Sequence, residues 1–190
     1  MFEEIKKEKI EQLQISTLRE EDIEFLDVIL KEYIKDSETG KILEAEISEI
    51  ENYMRGKEDN ERKAKRLYLV AKNENGEVLG CIGYSKPDLD MIKHFKKILK
   101  LNDAEMAEKC AELLNVFTRS EKNKGVGRKL FDAACEAVKV RGKDYLLINS
   151  GPRYRNSWGF YDKMGAIRSG FIIDKYGKGR DAMAWVKNLN

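Results

Sequence analysis

The sequence contains one histidine, His94, among its 190 residues. A Ser-His or Cys-His catalytic pair would have to be built on this residue, which lies in a charged helical run, and a cluster of histidine metal ligands is impossible. The three cysteines, Cys81, Cys110 and Cys135, are odd in number and widely spaced, so they predict neither a disulfide framework nor a zinc site. These absences argue against triad hydrolases and most transition-metal enzymes.

An excess of charge of one sign is also missing, as are long apolar runs. The 36 basic and 34 acidic residues leave a net charge of +2, which indicates a surface of mixed charge rather than a dedicated nucleic-acid-binding protein. No apolar run approaches the length of a membrane span, and the charged start of the chain lacks the apolar core of a signal peptide. Together with the scattered cysteines, this pattern predicts a cytoplasmic protein.

The chain has only two prolines and neither a repeat nor a linker-like segment, so we expect a single domain over residues 1–190. Hydrophobic periodicity predicts strands over 12–18, 67–72, 78–85, 113–118, 145–149, 167–173 and 181–186. It predicts helices over 22–34, 42–54, 88–101, 126–141 and 157–164. The helix at 88–101, with a further helical turn through Cys110, forms an insertion at about 88–110. The order predicts an α/β (α+β) fold: a mixed, mostly antiparallel sheet with one βαβ unit.

The motif Lys-Asn-Lys-Gly-Val-Gly-Arg-Lys at 122–129 lies between the predicted strand 113–118 and the predicted helix 126–141. Two glycines at such a junction allow close approach of a ligand to the backbone, and the free N–H groups at a helix start favour an anion. A P-loop would need Gly-Lys-Ser/Thr here, and a Rossmann fingerprint a third glycine where Leu130 stands. We interpret the motif as a phosphate cradle.

With this motif and Gly-Phe-Tyr-Asp-Lys-Met-Gly at 159–165, the order of elements resembles the GNAT N-acetyltransferase superfamily over nearly the whole chain. The resemblance implies a splayed pair of parallel strands and acetyl-CoA as co-substrate, without a metal. Either Phe117 or Thr118 is expected to offer a backbone N–H to the acetyl carbonyl. Lys122 stands where the family usually has Gln or Arg. The implied cofactor-binding residues are Phe117, Thr118, Lys122, Asn123, Lys124, Gly125, Val126, Gly127, Arg128, Lys129 and Asn156.

The resemblance also implies that Tyr161 protonates the departing thiolate of CoA. A phenol of pKa ~10 lies somewhat above a thiol of ~8.5, so the hydroxyl can at least hydrogen-bond the sulfur. The alternative is a core residue packed with Phe160 and Trp158. Glu112, at the start of the cofactor strand, is the candidate general base because the attacking amine must lose a proton; the alternative is an ordinary surface carboxylate.

Three residues are candidates for the substrate site. Arg153 and Arg155 follow the predicted strand 145–149, and loops at the carboxyl ends of strands carry ligands in α/β sheets. They could hold a substrate carboxylate or the CoA 3′-phosphate, or form a solvated basic loop. Phe95, on the inserted helix, is expected to contact the amine acceptor if this helix forms a wall of the site, and to pack against a sheet edge if the helix is scaffold.

The function predicted from these residues is direct transfer of an acetyl group from acetyl-CoA to a primary amine of a small molecule or peptide. One alternative is a non-catalytic acyl-CoA sensor on the same fold. Another is a weak nucleic-acid-binding module, against which the near-zero net charge argues. The sequence selects neither the amine nor the oligomeric state, and a homodimer stays an option.

Overall fold

The computed structural model describes residues 13–36, 38–57, 66–119 and 125–190. The strands are β1 Gln14–Thr17, β2 Leu67–Lys72, β3 Val78–Ser85, β4 Cys110–Thr118, β5 Tyr145–Ser150, β6 Ile167–Ile172 and β7 Ala182–Asn188. The helices are α1 Glu20–Tyr33, α2 Glu44–Met54, α3 Leu89–Leu99, α4 Asp103–Lys109, α5 Val126–Val140 and α6 Trp158–Lys163, with a 3-10 helix, Pro152–Ser157, directly before α6. Within these ranges no helix is both long and apolar enough to cross a bilayer.

The strands form one seven-stranded sheet in the order β1-β2-β3-β4-β5-β7-β6. Neighbouring strands are antiparallel apart from β4 and β5, so the predicted mixed sheet with one parallel pair is present. Helices α5 and α6 pack on one face. Alternate residues of the strands face the other side, where α1 and α2 cover the sheet around β2 to β4, and α3 and α4 cover it around β5 to β7.

The parallel pair separates soon after it begins. Strand β4 pairs with β5 only from Cys110 to Glu112, opposite Tyr145 to Leu147. Beyond these residues β4 continues to Thr118 and β5 to Ser150 without pairing with each other. The separation leaves backbone groups of each strand without a partner on the other strand, in the middle of the sheet, where a ligand with an amide backbone of its own can pair with them.

A bulge bends β4 at the same place. The register between β3 and β4 shifts between Cys81 and Gly83, and Asn115 on β4 has a φ of 39°, in the left-handed region that Asn tolerates. The hydroxyl of Tyr68 donates a 3.0 Å hydrogen bond to the side-chain oxygen of Asn115. The ring of Tyr68 lies so close to Gly83 that a Cβ there would be 2.5 Å from it. Glycine at 83 therefore permits the contact that fixes the bulge.

The insertion contains two helices. The side chain of Asp88 accepts hydrogen bonds from two backbone N–H groups in the first turn of α3, and Asn102 forms a capping box with Glu105 at the start of α4. Helix α4 ends at Lys109, and β4 begins at Cys110. The sequence prediction continued helix through Cys110 and began the strand at 113. It was wrong there because pairing with β5 outweighs the local helix preference of Ala and Glu.

Candidate active site

The start of α5 lies beside the end of β4. Gly125 has a φ of 98°, which strongly favours glycine. The N–H of Lys129 donates to the carbonyl of Gly125 at 3.0 Å, so the first three N–H groups of the helix have no partner within it. A Cβ on Gly127 would lie 3.9 Å from Cγ2 of Thr118. These N–H groups, which have no partner in the part of the chain that the structure describes, are thus close to the separated end of β4 and can take an anion. The predicted cofactor residues Lys122, Asn123 and Lys124 lie outside the described residues.

A cleft of about 1620 Å³ opens around the other end of the separated strands, near Glu112. It is formed by α2, the β3–α3 connection, the start of β4, the end of β5, the 3-10 helix and the β6–β7 connection. Six acidic and six basic side chains line it: Asp36, Glu46, Glu49, Asp88, Asp90 and Glu112, and Arg66, Lys86, Lys93, Arg153, Lys175 and Arg180. The volume exceeds the roughly 300–1,000 Å³ of ordinary small-molecule pockets, so the cleft can hold a sizeable acceptor.

Glu112 is the most deeply buried carboxylate of the cleft, with 5% of its surface exposed. Its Oε1 accepts a hydrogen bond from the Asn149 amide at 3.0 Å, and its Oε2 accepts one from the backbone N–H of Asp88 at 2.9 Å. Burial raises the pKa of Glu112 to about 7, and the nearby Asp88 carboxylate adds to the rise, while the two hydrogen bonds and the charge of Lys175 oppose it. Glu112 can therefore exchange a proton near neutral pH.

Asp88 connects Glu112 to the inserted helix and to the β6–β7 turn. While its N–H bonds Glu112, its side chain caps α3 and pairs with the ammonium group of Lys175. Burial alone would raise the pKa of Asp88, but the hydrogen bonds from Lys175 and from the N–H of Met91 outweigh it and lower the pKa. Asp88 is thus held as an anion. Lys175 also lies 3.7 Å from Asp90.

Asn149 is held from its other side by the same turn. The hydroxyl of Tyr176 donates a hydrogen bond to the side-chain oxygen of Asn149. The ring of Tyr176 lies against Gly151, where a Cβ would be 2.9 Å from the ring. Burial first, and then the charge of Glu112, raise the pKa of Tyr176, so its hydroxyl stays protonated.

Tyr161 lies in α6 with 7% of its surface exposed. Its ring centroid is 5.1 Å from that of Trp185 and 5.4 Å from that of Phe160. Burial raises its pKa, and no residue in the described ranges hydrogen-bonds its hydroxyl. The side chain therefore packs in the core, as the alternative from the sequence supposed, and it also keeps a protonated hydroxyl with donor capacity to spare.

The structure places the candidates Arg153, Arg155 and Asn156 in different surroundings. Arg153 lines the cleft, where Nη1 donates to both carboxylate oxygens of Glu46 at 2.9 and 3.1 Å. Arg155 and Asn156 are exposed on the 3-10 helix outside the cleft lining, with Arg155 over the ring of Trp158 at 5.4 Å. Arg153 is thus the one of these three that an acceptor in the cleft can meet.

Phe95 has no exposed surface and packs in the cluster beneath α3. It cannot contact an acceptor in this arrangement, so its burial contradicts the expectation that it lines the acceptor site. The cleft is instead lined by the first turns of the same helix, at Leu89, Asp90 and Lys93. The apolar stripe that includes Phe95 faces the sheet, as the apolar face of a surface helix usually does.

Sequence reasoning missed four residues around Glu112: Asp88, Asn149, Lys175 and Tyr176. Two had a usable signal, since Asp88 precedes a predicted helix as a cap and Asn149 ends a predicted buried strand. Lys175 and Tyr176 lie in a polar turn between the last two strands, and no local pattern distinguishes them from other turn residues.

The sequence matches the acetyltransferase (GNAT) family over residues 27–166. No similar sequence was found among curated proteins. Similar solved structures include aminoglycoside 6′-acetyltransferase type Ii, with 17% identity and a TM-score of 0.64, over 93% of this chain and 97% of that chain. An aminoglycoside 6′-N-acetyltransferase complexed with coenzyme A has 15% identity and a TM-score of 0.61, over 93% and 97%. Spermidine/spermine N-acetyltransferase SpeG from Vibrio cholerae, in complex with manganese ions, has 14% identity and a TM-score of 0.59, over 94% and 93%.

Proposed function

Because the chain belongs to the GNAT acetyltransferase family, we propose that it transfers the acetyl group of acetyl-CoA to a primary amine by direct attack on the thioester. The observation that carries this proposal is Glu112, a buried carboxylate with a pKa of about 7 at the point where the parallel strands separate and a large cleft begins. A base at this point can take a proton from an amine in the cleft as the amine attacks a thioester held between the strands.

The residues at the separated strands and at α5 fit acetyl-CoA. The first three N–H groups of α5, those of Val126, Gly127 and Arg128, would bind the pyrophosphate, and Lys129 is an exposed cation beside them. Unpaired backbone groups of β4 and β5 would pair with the amides of the pantetheine arm. The proposed phosphate loop also includes Lys122, Asn123 and Lys124, which are assigned to it from the sequence motif alone.

Strand geometry distinguishes Thr118 from Phe117 as a backbone donor to the cofactor. The N–H of Arg119 donates to Leu79 on β3 at 2.9 Å. Backbone N–H groups alternate in direction along an antiparallel strand, so the N–H of Phe117 also faces β3 and that of Thr118 faces the gap. Thr118 is six residues from Glu112, roughly 20 Å along an extended strand, and lies beside the start of α5. Its N–H is therefore placed to pair with the pantetheine arm near the phosphates, and the expected role at the acetyl carbonyl does not fit a thioester close to Glu112.

We propose that Glu112 accepts the amine proton, directly or through a water molecule, and that Tyr161 assists the departing thiolate. The raised pKa of Glu112 makes it a stronger base than an exposed carboxylate while it stays largely ionised above neutral pH. The Tyr161 hydroxyl is protonated and has no partner among the described residues, so it is free to donate to sulfur. No covalent enzyme intermediate is needed.

The acceptor is proposed as an amine that carries further polar groups. The cleft presents Arg153 paired with Glu46, and Lys175 paired with Asp88 and Asp90. Such paired charges offer both donors and acceptors to a polar ligand, at positions fixed before it binds. Aminoglycosides and polyamines are reasonable first acceptors to test, because structures similar to this chain are named for acting on them.

The proposal is tested by measuring CoA thiol release from acetyl-CoA with a panel of amines, namely kanamycin, spermidine, L-lysine and a lysine-containing peptide. We expect thiol release that depends on amine concentration for at least one of them, with an acetylated product by mass spectrometry. If acetyl-CoA binds but no amine gives thiol release above the amine-free rate, the sensor alternative replaces the proposed activity.

A further inference from the structure

Two neighbouring residues of the β6–β7 turn reach the two oxygens of Glu112, each through one intermediate residue. Tyr176 donates to the Asn149 side chain, which donates to Oε1 of Glu112. Lys175 pairs with the Asp88 side chain, and the N–H of Asp88 donates to Oε2. Both oxygens of the carboxylate are therefore held by contacts that lead back to one turn.

We propose that Asn149 and Tyr176 are positioning residues that orient the Glu112 carboxylate and stabilise its ionised form, so that the β6–β7 turn controls the base. This inference rests on the proposed function, in which Glu112 is that base. It adds two residues that act through Glu112 and assigns the turn a role in the chemistry besides lining the cleft.

The direction of the hydrogen bonds supports this role. Glu112 receives an N–H from Asn149 and another from Asp88, and neither group can accept a proton back. Two donors favour the charged carboxylate, against its burial. The Asn149 amide is held with its nitrogen toward Glu112 by the Tyr176 hydroxyl on its oxygen and by Sδ of Met91, 3.5 Å from its nitrogen.

Tyr176 lies where an acceptor in the cleft can affect the hydrogen bonds that hold Glu112. It is 43% exposed, and its ring lines the cleft. An acceptor that enters the cleft can touch the ring whose hydroxyl holds Asn149. The charged groups around Glu112 are Asp88 and Asp90 from the start of α3 and Lys175 from the turn. Tyr176→Phe removes none of these charges, so it tests the hydrogen bond to Asn149 by itself.

The test is a carbon-13 NMR titration of the Glu112 carboxyl in the whole chain without any acceptor, with its signal assigned by its loss in Glu112→Gln. In Asn149→Leu we expect the apparent pKa of Glu112 to rise by about one pH unit, because a hydrogen bond to a charged group is removed. In Tyr176→Phe we expect a smaller rise. Tyr145→Phe is the matched control: Tyr145 lies at the opposite end of β5, no residue in the described ranges hydrogen-bonds its hydroxyl, and the titration should not change.

An unchanged titration in Asn149→Leu or in Tyr176→Phe would overturn the inference for the residue concerned. Tyr176→Phe removes one hydroxyl from a partly exposed turn, so it remains informative if Asn149→Leu does not fold. The titration needs no turnover. If the rises occur while the amine panel gives no thiol release, the hydrogen-bond chain stands and the proposed function fails. If thiol release occurs without the rises, the function stands and the chain fails.

Discussion

The backbone N–H of Asp88 donates a 2.9 Å hydrogen bond to Oε2 of Glu112, although 24 residues separate them in the sequence. The residue that begins the inserted helix therefore also holds the carboxylate where the parallel strands separate. This contact gives the insertion a defined connection to the proposed chemistry, through the start of α3 and not through its apolar stripe.

Acetyl-CoA is expected to stabilise the fold through the start of α5. At 100 times its dissociation constant it should raise the free energy of unfolding by about 2.7 kcal/mol, seen as a thermal shift. Gly127→Asp should abolish this shift by placing a carboxylate beside the phosphates. Gly127→Asn is the uncharged control and should keep part of it. A Cβ at 127 would meet the Phe160 ring at 3.5 Å, an ordinary contact, so both variants should fold. A wild-type protein that shows no shift would contradict the cofactor assignment.

Tyr161→Phe should lower kcat by roughly a hundred- to ten-thousand-fold and leave the dissociation constant of acetyl-CoA nearly unchanged. The ring keeps its packing against Trp185 and Phe160, and only a hydroxyl without a partner among the described residues is lost. Steady-state kinetics with the best amine of the panel, and calorimetric titration with CoA, measure the two quantities. Turnover equal to that of wild type would leave Tyr161 with a packing role alone.

A pair of variants can distinguish the start of α3, which lines the cleft, from the buried apolar stripe of the same helix. Leu89 is 72% exposed in the cleft lining, so Leu89→Ala should change the KM for the acceptor and leave the melting temperature nearly unchanged. Phe95 is fully buried, so Phe95→Ala should cost about 3–5 kcal/mol of stability and leave the acceptor KM of the folded protein alone. A changed acceptor KM in Phe95→Ala with unchanged stability would restore Phe95 to the site.

Gly151→Ala should weaken the connection between the turn and Glu112. The φ and ψ of Gly151, −72° and 168°, suit alanine, so the backbone is not strained. The new Cβ would lie 2.9 Å from the Tyr176 ring and displace it. We expect the pH profile of kcat/KM to move toward that of Tyr176→Phe. Gly159→Ala, with nothing within 4 Å of its Cβ, is the control and should leave the profile in place.

Much of the scaffold follows from local sequence. The periodicity of residues 78–85 and 67–72 predicted β3 and β2 with the bounds that the structure has, and the two-glycine motif marked the start of α5. The first residues of β4 could not be predicted, since Cys-Ala-Glu becomes a strand only through its partners Tyr145 to Leu147 on β5. The same strand pairing buries Glu112, so its burial was equally hidden from the sequence.

The surroundings of the candidate base depend on contacts between distant parts of the chain. Asn149 and Tyr176 are 27 residues apart, and Asn149 and Glu112 are 37 apart. Spacing along one helix or strand cannot reveal such pairs, because the sheet order brings them together. Glu112 itself was identified from its place at the start of a strand, while the residues that set its pKa become visible only in three dimensions.

The proposed chemistry depends most on Glu112, and a comparison of the pH dependence of wild type and Glu112→Gln tests this role most directly. Because folding raises the pKa of Glu112 to about 7, the stability it contributes is full below its unfolded value of about 4.3 and is lost as the pH rises through about 7. The melting temperature of Glu112→Gln minus that of wild type should therefore be larger at about pH 8 than at about pH 5.

For turnover, wild-type kcat/KM should rise with pH through an apparent pKa near 7, as Glu112 ionises. Glu112→Gln should lose this rise, with kcat/KM lower by roughly a hundred- to ten-thousand-fold above neutral pH and an unchanged dissociation constant for acetyl-CoA. A variant that keeps wild-type turnover and the same rise through pH 7 would contradict the assignment of Glu112 as the base.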